Sequence, residues 1–239
     1  MTDPLFLSDP YAKTAPGTVT ATTPEGGVVL DASIFYAKGG GQPGDAGRLV
    51  WDGGEMEVAT AVKGEGGAIV LLPAEAAPLP PVGTRVEQRL DWARRHRHMR
   101  MHTALHLLSV AVPLPVTGGQ IGAEKSRLDF DMPEVTITRE ALQAEMDRLV
   151  ASDHETGTRW IEEAELDARP ELVKTLSVRP PRGAGRIRLV RIGPADAPVD
   201  LQPCGGTHVA RTGEIGRAVV GRIESKGRQN RRISIMLEG

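Results

Sequence analysis

The sequence predicts an α+β protein in two parts: a small β-barrel or sandwich over residues 1–90, then a domain mixing helices and strands over 91–239. Three observations carry this expectation. Residues 1–90 are rich in Gly and Pro and hold short apolar runs between turn signals, with no apolar repeat at helical spacing. Asp91–Val112 contains neither Gly nor Pro. Beyond it, helical stripes follow runs in which every second residue is apolar.

In the first part, Thr18–Thr22, Gly27–Leu30, Gly47–Trp51, Glu57–Val62 and Ala68–Leu72 read as short strands, none much beyond five residues. Ala74–Val82, with Pro78, Pro80 and Pro81, reads as a semi-rigid connector, and Gly83–Leu90 as a further strand. Phe35–Gly47 places five glycines within residues 39–47. Such a loop either turns a hairpin or brings backbone N–H groups close to a phosphate. It lacks the Gly-Lys-Ser/Thr ending of a P-loop.

In the second part, Asp91 caps a helix expected over 92–111, whose first half carries arginines and whose second half carries histidines among apolar residues. A glycine turn is expected over Thr117–Gly122 and a strand over Ser126–Asp131. Thr138 opens a helix over about 139–152, with Leu142, Met146 and Leu149 on one stripe. Glu162–Arg169 reads as a short helix stopped by Pro170. Gly185–Ile192 alternates arginine with aliphatics, as a half-buried strand does. Val199–Pro203 leads into Cys204, and strands over Gly216–Glu224 and Arg231–Leu237 close the chain.

The 239 residues suffice for one large domain or two modest ones, and 25% charged with 40% hydrophobic residues is the composition of a globular protein. No apolar run approaches a membrane span, Met1–Leu7 does not resemble a signal peptide, and one cysteine permits no internal disulfide. A cytoplasmic location is expected. The net charge of −2 hides an asymmetry: residues 1–90 hold six basic and eleven acidic side chains, whereas 179–239 hold twelve and five, eleven of the twelve being Arg. Arginine pairs bidentately with phosphate, which makes RNA a candidate partner for this end. With aromatics at 3%, an RNA would be gripped by shape and backbone rather than by base stacking.

Two stretches carry chemistry. His102 and His106 stand at i and i+4, on one face of the expected helix. Cys204, the single thiol, and His208 flank a Gly-Gly-Thr turn. A lone pair of either kind is weak evidence, but together they offer the four N/S ligands that suit tetrahedral Zn²⁺. Two arrangements stay open: all four bind and order a pocket, or one histidine, such as His208, stands off to position a water. His96, His98 and His154 have no such pairing and are expected at the surface.

These motifs, with Gly39-Gly-Gly-Gln-Pro-Gly-Asp upstream and Thr212-Gly-Glu-Ile-Gly after the cysteine, resemble those of alanyl-tRNA synthetase editing domains and their stand-alone relatives, the AlaX proteins. The likeness runs from about Phe35 to the C-terminus. Pro43 departs from it, standing where a small aliphatic is more usual. The resemblance implies an N-terminal β-barrel and a C-terminal α/β editing domain of the type shared with threonyl-tRNA synthetases. It implies hydrolysis of the ester joining serine or glycine to the alanine tRNA, with Zn²⁺ held by His102, His106, Cys204 and His208. On this reading Thr103, Thr117, Gln120, Asp200 and His208 are candidates for contacting the amino acid or the water. Arg94, Arg95, Arg97 and Arg100, with Lys226, Arg228, Arg231 and Arg232, are candidates for phosphate contacts, and Gly39, Gly40, Gly41 and Gln42 for contact with the acceptor end. Neither a membrane nor an obligate protein partner is expected. Two other classes compete: a non-catalytic tRNA-binding module with a structural zinc, and a zinc hydrolase of small esters or amides.

Overall fold

The computed structural model describes residues 1–76, 78–176 and 185–238, which form two units, Met1–His98 and Met99–Gly239. In the first unit the strands are β1 (Asp3–Pro4), β2 (Thr14–Thr22), β3 (Val28–Leu30), β4 (Ala32–Ser33), β5 (Gly47–Trp51), β6 (Gly54–Lys63), β7 (Ile69–Pro73) and β8 (Arg85–Leu90). Six of them close into a barrel in the order β2-β3-β7-β6-β5-β8, every pair antiparallel. Closure settles barrel over sandwich and leaves no open edge among these strands. The expected strands fall in place, but β2 has nine residues and β6 ten, longer than expected. Both tolerate a register shift along their length, which bends a long strand around the barrel. Ala77, in the expected connector, lies outside the described residues.

Leu30, Phe35, Leu49, Met56, Leu71 and Val86 fill the interior. Gln88, from β8, is buried among them with every polar valence met. Its amide nitrogen donates to the carbonyls of Pro16 and Ala32, each at 3.1 Å, and its oxygen accepts from Ser33 Oγ and the Ile34 N–H.

The glycine loop is a hairpin. Gly39 and Gln42 exchange backbone hydrogen bonds of 3.1 and 2.9 Å around Gly40 (φ 55°) and Gly41 (φ 83°), a two-residue turn with positive φ at both centres. Gly44 is required by close approach, since a Cβ there would lie 2.1 Å from the Ala61 carbonyl oxygen. The base of the loop is held by Asp45, whose carboxylate accepts from the Tyr36 N–H at 2.6 Å and pairs with the Arg95 guanidinium. Arg95 also donates to the carbonyls of Pro10 and Ile34, and both charged side chains are fully buried. Arg95 therefore holds the barrel loop together and has no surface to offer a phosphate, contrary to expectation.

Helix α1 (Trp92–Ala111) spans the boundary between the units, and the Asp91 carboxylate accepts from the Arg94 N–H at 3.1 Å as the cap requires. In the second unit follow β9 (Val116–Gln120), β10 (Lys125–Asp131), α2 (Arg139–Ala151), β11 (Thr156–Glu162), α3 (Glu163–Asp167), β12 (Arg186–Ile192), β13 (Asp200–Pro203), β14 (Arg217–Ser225) and β15 (Asn230–Glu238). They form two antiparallel sheets, β14-β15-β10-β9 and β11-β12-β13. Thr138 caps α2, and Leu142, Met146 and Leu149 are its buried face. Within the expected turn at 117–122, Val116–Gln120 is instead the edge strand β9, because Gly118 and Gly119 still pair their backbones with Asp129 and Leu128. Strand β11 was not expected. His98 is buried, not at the surface, because it stands one helical turn before the buried His102 on the same face of α1. Among the described residues no helix is long and apolar enough to cross a membrane.

Removing Asp45 alone would strand a buried guanidinium. Asp45→Ala should cost about 3–5 kcal/mol of stability, read as a lowered midpoint in urea unfolding, with Asp45→Asn losing less.

Candidate metal centre

From Met101 to Ser109 every residue of α1 is buried, so the helix has no solvent face there and its histidines are held by packing on all sides. His102 and His106 lie one turn apart with ring centroids 5.2 Å from each other. The loop after β13 brings Cys204 and His208 against them. Cys204 Sγ lies 3.4 Å from His102 Nε2 and 3.3 Å from His208 Nε2, and one donor atom from each of the four side chains lies within 4.8 Å of all the others. A zinc ion with bonds of about 2.0–2.3 Å to nitrogen and sulfur has tetrahedral edges of about 3.3–3.6 Å. The two sulfur–nitrogen distances match that edge, and a donor set of one thiolate and three imidazoles is the chemistry zinc takes. The residues fit the metal.

Neighbours aim the ligands. Asp200 Oδ2 lies 2.8 Å from His106 Nδ1 and accepts its proton, leaving Nε2 for the centre. The other oxygen of Asp200 takes the Lys174 ammonium at 2.5 Å, and the Gln202 amide donates to Oδ2 at 2.8 Å. Thr103 donates to the Met99 carbonyl, so at 3.2 Å its Oγ1 is free to accept from His208 Nδ1, again leaving Nε2 bare. The Cys-Gly-Gly turn is fastened by Arg188, which donates to the carbonyls of Cys204 and Gly206 at 2.9 Å each, while the Gly206 N–H points at Cys204 Sγ.

The electrostatics follow. Burial pushes the Cys204 thiol up, but the His102 and His208 imidazoles outweigh it and hold the thiol well below its usual range. Burial pulls His106 down, yet the hydrogen bond to Asp200 and the Cys204 thiolate raise it to about 9. Burial, then the neighbouring His102, lowers His208 to about 3. Asp200 is raised by burial and lowered more by His106 and Lys174, ending at about 2.

Of the residues expected from sequence, His102, Thr103, His106, Asp200, Cys204 and His208 come together. Thr117 and Gln120 have other hydrogen-bond partners: the Thr117 hydroxyl bonds the Asp129 carbonyl and Asn230 Oδ1, and Gln120 is exposed with Arg127 at 3.4 Å. Arg94 donates to the Gly44 carbonyl, and Arg100 donates twice to the Ile215 carbonyl. Arg231 holds the Pro133 carbonyl, Arg232 pairs bidentately with Asp129, and Lys226 pairs with Glu224. Arg97 and Arg228 are exposed. Gly40 and Gly41 are exposed at the hairpin tip, Gly39 is half-buried behind them, and Gln42 is buried. Arg179 and Arg182, part of the basic excess, lie outside the described residues. Lys174, Arg188 and Gln202 escaped the sequence reading. Gln202 had a signal, since it alternates with Asp200 and Cys204 along one strand.

A closed barrel is thus followed by an α/β unit that bears a three-histidine, one-cysteine cluster. The family described as threonyl and alanyl tRNA synthetase second additional domain matches residues 187–234, and the class II (A) tRNA synthetases match 13–94. An alanyl-tRNA editing protein AlaX-M of Methanosarcina acetivorans is 32% identical, with 99% of each chain covered. One of Saccharolobus solfataricus is 34% identical over 98% of each. An alanine–tRNA ligase of Pyrobaculum arsenaticum is 36% identical over 92% of this chain, which spans only 25% of the ligase. The chain belongs to the AlaX-M family of alanyl-tRNA editing proteins, and is by class an aminoacyl-tRNA deacylase.

Cys204→Ala should lose most of the zinc, and Asp200→Ala should weaken metal affinity about 10- to 100-fold, both read by competition with a chromophoric chelator. Full zinc occupancy in Cys204→Ala would overturn the assignment. In the metal-free protein His106 keeps its proton up to about pH 9, while the His102 and His208 imidazoles hold the Cys204 thiol well below its usual range. Metal must displace that proton, so at pH 7.5 calorimetry in two buffers should find about one proton released per zinc. The affinity should climb with pH and level off near 9. With His106 raised, the stability its ion pair lends the metal-free protein is full below pH 6.5 and is lost as pH rises through about 9.

Proposed function

We propose that this chain hydrolyses the ester of alanine tRNA mischarged with serine or glycine, in a pocket organised by zinc. The observation that supports it most is the cluster of His102, His106, Cys204 and His208 in a chain that matches AlaX-M proteins over its full length. Serine exceeds alanine by one hydroxyl, and a synthetase pocket cannot strongly reject an analogue that adds only that group. A second site that hydrogen-bonds the hydroxyl discriminates the other way, because alanine leaves its polar groups unpaired.

Zinc held there would polarise an ester carbonyl or a bound water. The protein's own part is positional. Asp200 and Thr103 fix the tautomers of His106 and His208, and Lys174 keeps Asp200 ionised. Buried walls keep bulk water from His102, His106 and His208, all less than a tenth exposed, and Cys204 is the half-buried member of the cluster. Arg97 and Arg228, exposed on the surface, are the arginines of the candidate set best placed to meet phosphates. The mutual closeness of all four ligands also favours a second reading, a closed structural zinc in a tRNA-binding module. That reading requires full tetrahedral coordination and no deacylation.

The deciding experiment compares seryl-, glycyl- and alanyl-tRNA made on the alanine tRNA. Seryl-tRNA should be cleaved at least about a hundredfold faster than alanyl-tRNA; equal rates would remove the editing reading, and no hydrolysis by zinc-loaded protein would favour the binding module. Arg228→Ala should weaken tRNA binding uniformly across sequences and reduce the slope of log K against log salt by about one.

A further inference from the structure

The three-stranded sheet has two distinct faces. Asp200 and Gln202 of β13 reach His106 from one of them. Ile161, Ile187, Leu189 and Leu201 occupy the other, packed with Leu166 and Leu172. Residues directly opposite in an antiparallel pair share a face. The register sets Trp160 of β11 against Arg188 of β12, and the Cys204 N–H donates to the Arg188 carbonyl at 3.1 Å, extending the β12–β13 ladder by one pair. Trp160, Arg188 and Cys204 thus form one row across the sheet on the face that carries the metal ligands. With strands about 4.8 Å apart, Trp160 lies roughly 10 Å along the sheet from Cys204.

Arg188 does not rise between them. It is 8% exposed, and its guanidinium is turned onto the Cys204 and Gly206 carbonyls. Trp160 is 45% exposed on the outermost strand, whereas Trp51 and Trp92 are partly buried against the barrel core. Its neighbour Arg159 is drawn to the opposite face by Glu165. An indole with an open π-face therefore stands one aminoacyl-ribose length from the metal cluster.

We propose that Trp160 is the stacking platform for the 3′-terminal base of the charged tRNA, a substrate-positioning residue that sets the ester over the ligand cluster. This rests on the editing reading above and adds to it the group that grips the terminal nucleoside. One base needs one aromatic, so the scarcity of aromatics in the chain is no obstacle. Stacking on an indole tolerates any base, and it positions without specifying.

The test uses zinc-loaded full-length protein and two non-hydrolysable probes, serine joined by an amide to 3′-amino-adenosine and the same compound with the adenine removed. Wild type should bind the adenosine probe on the order of 5- to 150-fold more tightly than the base-less one. Trp160→Ala should lose that ratio while binding the base-less probe as wild type does and keeping its zinc; Trp160→Tyr should retain most of it. On seryl-tRNA, Trp160→Ala should raise KM more than it lowers kcat. A tRNA ending in 2-aminopurine should be quenched by wild type and not by Trp160→Ala. An unchanged ratio in Trp160→Ala overturns the proposal and leaves the editing reading standing. Failure of wild type to bind either probe overturns both. A drop from dimer to monomer in Trp160→Ala with unchanged probe binding would assign the indole to self-association instead.

Discussion

The second unit depends on one buried carboxylate. Asp200 is 2% exposed and would be costly there if unpaired, yet it is ringed by the His106 imidazole, the Lys174 ammonium and the Gln202 amide. Those partners come from a helix, a loop 68 residues further on, and the same strand. Satisfying the carboxylate therefore fixes where β13 stops relative to α1. A slip of one residue would present Leu201 to His106 and turn the cysteine away from the histidines. The ligand cluster is in this sense set by a charge that is not one of its members.

The barrel unit solves a similar problem without a metal. Asp45 with Arg95, and Gln88 with four partners, are buried polar groups whose hydrogen-bonding capacity is met by loop and strand backbone. Such groups add little net stability, but each is satisfied in one register only. A barrel built of short strands and glycine turns has weak local preference, and these contacts select one closure among several that would bury the same aliphatic residues.

Much of this was legible in the sequence where side-chain periodicity is strong. Leu142, Met146 and Leu149 announced α2, and the gap without glycine or proline announced α1. The ligand set was legible because cysteine and paired histidines are scarce. β9 was hidden because Gly118 and Gly119 carry no side chains to alternate. β11 was hidden because only Ile161 among its seven residues is buried, as befits an edge strand. Arg95 and His98 were misplaced at the surface because charge and polarity predict exposure on average, and only tertiary partners reverse that. Lys174 and Arg188 act through contacts with residues 16 or more positions away, which no local pattern encodes.

Cys204 is the protein's only sulfhydryl, half-buried, and the His102 and His208 imidazoles hold its thiol well below the usual range. An anionic sulfur is the form that peroxide attacks, and no second cysteine stands by to trap the sulfenic acid as an internal disulfide. A metal ion bound to that sulfur would shield it, so losing the ion exposes the protein to a lesion that only an outside thiol can reverse. The group that makes the cluster a strong ligand set would thereby tie the working lifetime of a metal-loaded molecule to the continuity of its metal supply.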